Sequence, residues 1–102
     1  MARTVYLPDA IEDLHQIWAY IVGQTESVEI ADRLIDSIDN VASLYAANPA
    51  LGTARNDLAP GLRCFVVARY VVFFLPLTGG IEIVQVIHGS RDIPARFRRP
   101  RS

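Results

Sequence analysis

Two histidines, one cysteine and ten arginines without a single lysine are the residues from which this chain could build chemistry. His15, His88 and Cys64 form no HxxxH or CxxC pair, so no metal site has a starting ligand set and none is expected. Cys64 stands among Leu62, Phe65 and Val66 with no adjacent base, which reads as a buried, inert thiol. His15 borders an apolar helical stripe and reads as a boundary residue. There is no GxSxG elbow, Walker loop or dinucleotide fingerprint, and Gly79-Gly80 falls where a hairpin needs positive φ. Acyl-transfer and dinucleotide chemistry are therefore excluded, and no cofactor is expected. What remains is guanidinium chemistry. Arg91, Arg96, Arg98, Arg99 and Arg101 fall within eleven residues, opposed only by Asp92. Guanidinium forks pair bidentately with phosphate or carboxylate, so the stretch suits a phosphate backbone or an acidic protein surface. A solvated tail explains the last three equally well. Asp32, Asp36 and Asp39 share one helix face, where a basic partner could sit, and read first as a solvated surface.

The elements that must position these residues follow from periodicity. Residues 3–7 alternate as a short strand stopped by Pro8. Pro8 suits a first helical position, Asp9, Glu12 and Asp13 place negative charge at the helix start, and Ile11, Leu14, Ile17, Trp18 and Ile21 follow at three-four spacing up to Gly23. A second helix, capped by Ser27, carries Ile30, Ala31, Leu34, Ile35, Ile38, Val41, Ala42 and Tyr45 until Asn48-Pro49. After a loop punctuated by Gly52, Asn56, Asp57, Pro60 and Gly61, residues 62–67, 70–75 and 81–88 read as an antiparallel three-stranded meander. The fold class is α+β: a short N-terminal strand, then a helical hairpin on one face of a mostly antiparallel sheet completed by the C-terminal meander. Residues 1–102 read as one domain.

The hydrophobic fraction of 51% and mean hydropathy of +0.22 are high for so small a chain, which points to apolar surface meeting a partner. Net charge is −1, but residues 1–50 hold two arginines against eight acids and residues 51–102 hold eight arginines against three. The middle strand is apolar on both sides, with Tyr70, Val72 and Phe74 facing one way and Val71, Phe73 and Leu75 the other. One face belongs to the helical hairpin. The other is covered by a C-terminal segment folding back, by a second copy, or by a dedicated partner. A single cysteine excludes an intrachain disulfide framework, and no apolar run is long enough to span a bilayer. A cytoplasmic protein without membrane contact is expected.

The residues 86–93, Val-Ile-His-Gly-Ser-Arg-Asp-Ile, resemble the V-x-H-G-x-R-D-I ending of ParE-type toxins of the ParE/RelE superfamily. The opening Leu7-Pro8-x-Ala10-x-x-Asp13-Leu14-x-x-Ile17-Trp18-x-Tyr20-Ile21 resembles that family's first helix, and Gly61-Leu62-Arg63 with Arg69-Tyr70 its central hairpin. The resemblance covers nearly the whole chain in the right order. It implies a bacterial type II toxin held inactive by a ParD-like antitoxin whose C-terminal segment supplies the missing apolar cover. Arg63, Arg69, Tyr70, Val72, Phe73 and Phe74 are then the expected antitoxin-binding residues.

Within the superfamily, ParE-type members poison DNA gyrase and RelE-type members cut messenger RNA on the ribosome. RNA cleavage needs a base for the 2′-hydroxyl, an acid for the leaving oxygen and cations on the phosphate. RelE-like enzymes use mostly lysines, arginines and a tyrosine. Here there is no lysine, Val71 follows the central tyrosine, and Phe97 stands at the terminal tyrosine position. Only Arg91 survives, with His88 and Arg63 as the residues that would compensate. The resemblance therefore implies a gyrase inhibitor that binds without catalysis and without sequence-specific DNA recognition of its own. His88, Arg91, Arg96, Arg98 and Arg99 are its expected target-binding residues. A RelE-like endoribonuclease built on Arg63, His88 and Arg91, and a non-toxic antitoxin-binding module, are the alternatives.

Overall fold

The computed structural model describes residues 2–99. Strand β1 (Arg3–Tyr6) leads into helix α1 (Pro8–Thr25), then α2 (Val28–Ala47), a 3-10 turn (Pro49–Leu51) and a two-residue strand β2 (Thr53–Ala54). Strands β3 (Arg63–Val67), β4 (Tyr70–Leu77) and β5 (Gly80–His88) follow, with a last helical turn α3 (Ile93–Arg96). The sheet order is β1-β5-β4-β3-β2, and β1 lies parallel to β5 while every other pair is antiparallel. The α+β class and the meander agree with the sequence reading.

Strands β3 and β5 each shift by one residue at their start, and three further boundaries differ for local reasons. Helix α1 runs past Gly23 to Thr25, because Glu26 takes the left-handed cap conformation (φ 56°) and returns its N–H to the Val22 carbonyl. Leu7 leaves the strand to become the N-cap of α1. Strand β4 continues through Pro76, which an edge-like position beyond β3 tolerates, to a two-residue turn where Gly79 sits at φ 78°. Gly80 opposes Arg3, and an added Cβ would lie within 1.9 Å of the Arg3 carbonyl oxygen, so the parallel β1–β5 contact needs glycine here.

Both faces of the sheet are covered. The helical hairpin buries Ala10, Ile38 and Ala42 against Phe65, Val72, Phe74 and Ile83, with Tyr45 stacked on Phe65 at 4.6 Å. The opposite face packs Val71, Phe73, Val84 and Ile87 against Leu58, Ala59 and Leu62 of the loop before β3 and against Ile93 and Phe97 near the C-terminus. The expectation of a partner over this face is thus corrected, since the chain's own loop and its folded-back C-terminal segment supply the cover. Val72, Phe73 and Phe74 are fully buried and present no side-chain surface to an antitoxin.

The acidic face of α2 is also more than a solvated surface. Trp18 Nε1–H donates to Asp32 at 2.8 Å and the Tyr6 hydroxyl donates to Asp39 at 2.6 Å, so two of the three acids tie α2 to α1 and β1. Burial and the Asp39 carboxylate together push the Tyr6 phenol well above its ordinary pKa. No helix among the described residues is long and apolar enough to cross a membrane.

Candidate functional site

A groove of about 780 Å³ runs between α1 and the C-terminal end of β5 with the segment that follows it. Its α1 wall is acidic, from Asp9, Glu12 and Asp13, and its opposite wall carries Arg91, Arg96 and Arg98. Tyr20, Tyr70 and His88 close one end. The acids already have partners: Glu12 accepts from Gln16, Asp9 lies 3.7 Å from Arg98, and Asp13 accepts the Val86 N–H at 2.9 Å. The Asp9–Arg98 pair is mostly exposed and contributes only about 0–1 kcal/mol. Among the described residues, Arg91, Arg96 and Arg69 make no ion pair, which leaves three guanidinium groups open to an incoming anion.

His88 is oriented by its own turn. The Ser90 N–H donates to Nδ1 at 3.1 Å, and an N–H can only donate, so Nδ1 carries the lone pair and the neutral ring keeps its proton on Nε2. The Ser90 hydroxyl adds a 2.7 Å contact to the same nitrogen, and the ring stands edge-on to Tyr70 with centroids 5.1 Å apart. Burial, reinforced by Tyr20, raises the Tyr70 phenol above its usual value. The Gly89 N–H donates to the Arg69 carbonyl at 2.7 Å, which sets the exposed Arg69 at this same end of the sheet.

The structure thus gathers His88, Arg91, Arg96 and Arg98 into one groove, with Tyr70 inside it and Arg69 beside it. Arg99 is exposed and does not line the groove, and Arg101 lies outside the described residues. Arg63 is not brought there. It opposes Phe74 in the sheet whereas Tyr70 opposes His88, and its guanidinium donates to the carbonyls of Gly52 at 2.6 Å and Ala50 at 3.4 Å. The set Arg63, His88 and Arg91 is therefore not assembled as a catalytic centre, and the Arg63 side chain is engaged with the turn that precedes β2. Nor does Arg91 pair with Asp92, whose carboxylate accepts the Ala95 N–H as the cap of α3. Cys64 is buried, and that burial raises its thiol pKa, the Arg55 guanidinium opposing only in part. No three His, Cys, Asp or Glu side chains among the described residues stand where they could share a metal ion.

The model of the family described as "ParE toxin of type II toxin-antitoxin system, parDE" matches residues 5–93. The chain belongs to the ParE toxin family. Toxin ParE3 of Caulobacter vibrioides is 26% identical over 97 residues, covering 95% of this chain and 96% of the relative. Toxin ParE1 of Mycobacterium tuberculosis is 26% identical over 93 residues, covering 90% and 94%. A chain of the solved "Chromosomal ParDE TA system from P. aeruginosa" superposes with a TM-score of 0.72 at 19% identity, covering 86% of this chain and 96% of that one, and so shares the fold.

Two groove residues of this ParE toxin escaped the sequence reading. Gln85 is the only buried polar side chain among the described residues, and its signal was a neutral polar residue between Val84 and Val86 in a strand. In the sequence Asp13 signals only favourable charge at a helix start, yet it covers a β5 N–H that β1, ending at Tyr6 opposite Ile83, does not reach. Burial raises its carboxyl pKa, while the Val86 N–H and Arg98 pull the other way. A carboxyl whose pKa is higher folded than unfolded binds its proton more tightly when folded. Its ionisation therefore costs stability as pH climbs from the ordinary carboxylate range through the raised value, and the cost is complete at neutral pH. Asp13→Asn keeps an oxygen acceptor for Val86 without the charge, so it is expected to be no less stable at neutral pH and to lose that part of the slope in urea midpoints measured between about pH 4 and pH 7. Asp13→Ala orphans the Val86 N–H and is expected to cost about 1–3 kcal/mol.

Proposed function

We propose that this ParE toxin, a single domain over residues 1–102, acts in the cytoplasm by binding and inhibiting DNA gyrase, and that a ParD-like antitoxin neutralises it. The observation that carries the reading is the groove in which Arg91, Arg96 and Arg98 stand with an oriented His88 while Arg63 is held elsewhere. Such a wall of guanidinium groups can pair with carboxylates on a protein surface, and the Arg63, His88 and Arg91 set on which strand cleavage would be built is not brought together. No cofactor enters this activity, and the mixed charge of the groove does not favour sequence-specific DNA binding by the chain itself.

For the antitoxin, the exposed helical hairpin is the better surface. A cleft of about 410 Å³ between its helices is lined by Ile11, Leu14 and Ile35, with Asp36 and Asp39 on the rim. An apolar antitoxin segment carrying basic residues fits that pattern, with Arg69 and Tyr70 left to the groove side.

Purified toxin freed of antitoxin is expected to block supercoiling by gyrase at micromolar concentration and to leave ribosome-bound message intact. Untouched supercoiling together with cleaved message would replace this reading with the endoribonuclease. Neither effect, and no growth defect on induction, would leave an antitoxin-binding module.

A further inference from the structure

We propose that Gln85 is the positioning residue of the arginine wall, holding the C-terminal segment so that Arg96 and Arg98 face the groove. The proposal deepens the target-binding reading and rests on it for its consequence in activity. Gln85 sits where the β4–β5 register slips: Phe73 opposes Gln85, the next residue Phe74 opposes Ile83, and Val84 is the extra residue. Such a bulge re-aims side chains, and here it leaves the Gln85 carboxamide on the face that the C-terminal segment covers. Its Oε1 accepts the Arg98 N–H at 2.9 Å and its Nε2–H donates to the Arg96 carbonyl at 3.1 Å. The two bonds straddle Phe97, whose ring stacks edge-on against Phe73 at 5.2 Å.

The arrangement copies one rung of a strand ladder with a side chain. A carboxamide presents a donor and an acceptor side by side, as a peptide group does, and a carboxylate or an aliphatic chain of the same length cannot. Phe97 is drawn towards the sheet, and its neighbours on either side, Arg96 and Arg98, line the groove, where Arg98 meets Asp9. Burial of Phe97 alone fixes one residue of the segment. The bonds on both sides of it fix the direction of the backbone, which is what determines where the two guanidinium groups emerge. Ile93 and Phe97 pack on the sheet, but α3 is only four residues long, and among the described residues the two Gln85 bonds are the hydrogen bonds that tie the backbone of residues 96–98 to the sheet.

The test uses the full chain and two variants, Gln85→Met, which keeps the length and removes both bonds, and Gln85→Glu, which keeps the acceptor and loses the donor. Amide hydrogen exchange is read first. In Gln85→Met the Arg98 amide is expected to lose protection about tenfold or more, the equivalent of one hydrogen bond, while the β4 and β5 amides keep theirs. In Gln85→Glu the Arg98 amide stays protected. An Arg98 amide unchanged in Gln85→Met, or a loss spread evenly over the sheet in both variants, overturns the proposal. Activity is read second, as a double-mutant cycle of Gln85→Met with Arg96→Ala plus Arg98→Ala on growth arrest and on gyrase inhibition. If Gln85 acts through these arginines, their removal adds nothing in the Gln85→Met background, whereas fully additive losses would count against it. A wild-type chain that leaves gyrase untouched overturns the gyrase reading alone, because the exchange result still decides whether Gln85 positions the segment.

Discussion

Replacing Phe74 with alanine is expected to destabilise the folded toxin by about 3–5 kcal/mol, through lost burial and the cavity left behind. The ring is fully buried, 5.9 Å from Phe65 and 6.1 Å from Tyr45 by centroids, at the point where helix α2 meets the sheet. Its tip reaches into space that only glycine leaves: a Cβ on Gly52 would lie 2.5 Å from the ring. Small domains have about 5–15 kcal/mol in total, so the variant should retain little margin. At this chain length the melting temperature should fall by roughly 12–40 °C. Thermal unfolding followed by circular dichroism, with antitoxin absent, checks this. A variant that melts like the parent but binds antitoxin poorly would show that the ring faces the partner, as the doubly apolar strand first implied.

That contrast marks where the sequence was informative and where it was not. Alternation in residues 70–75 correctly separates Tyr70, Val72 and Phe74 from Val71, Phe73 and Leu75, because side-chain period 2 is a property of one strand. What lies over each set is a long-range fact. The cover of the second face comes from Leu58, Ala59 and Leu62, in a stretch whose Gly, Pro, Asn and Asp content signals only a loop, and from Ile93 and Phe97, single apolar residues without a periodic pattern. The helices were legible to within a few residues since their stripes and caps are local. The β2 strand was not, because two residues paired to Cys64 and Arg63 carry no periodicity.

The candidate groove was half legible for the same reason. Its basic wall is contiguous in sequence, and H-G-x-R-D-I contributes His88 and Arg91 to it. Its acidic wall sits more than seventy positions earlier, and only the packing of α1 across β5 brings Asp13 to Val86. Arg63 shows the converse error. Its type and motif position fit a phosphate-binding cation, but strand register places it away from the groove, and the carbonyls of Gly52 and Ala50 accept from its guanidinium. Register, more than residue identity, decides which arginines can act together.

Arg91 is where that distinction should have its largest functional effect. Its backbone N–H donates to the His88 carbonyl at 3.0 Å whatever side chain it bears, and Asp92 is occupied in capping α3, so the exposed guanidinium supports no part of the fold. Arg91→Ala should therefore leave the melting temperature and antitoxin affinity nearly unchanged. If the guanidinium meets a carboxylate of the target in a desolvated contact, truncating it costs about 2–5 kcal/mol, roughly 30-fold to several thousand-fold in target affinity, which is enough to abolish growth inhibition. Arg91→Lys should rescue poorly, because a single ammonium cannot reproduce a two-pronged fork. Arg96→Ala and Arg98→Ala, exposed groups of the same wall, should each weaken inhibition modestly and more so at low salt, where screening is least. Melting temperature and growth inhibition measured in parallel on this series decide the matter: toxicity that falls only in step with stability makes Arg91 a structural residue, and toxicity lost at full stability makes it the principal contact of the basic wall.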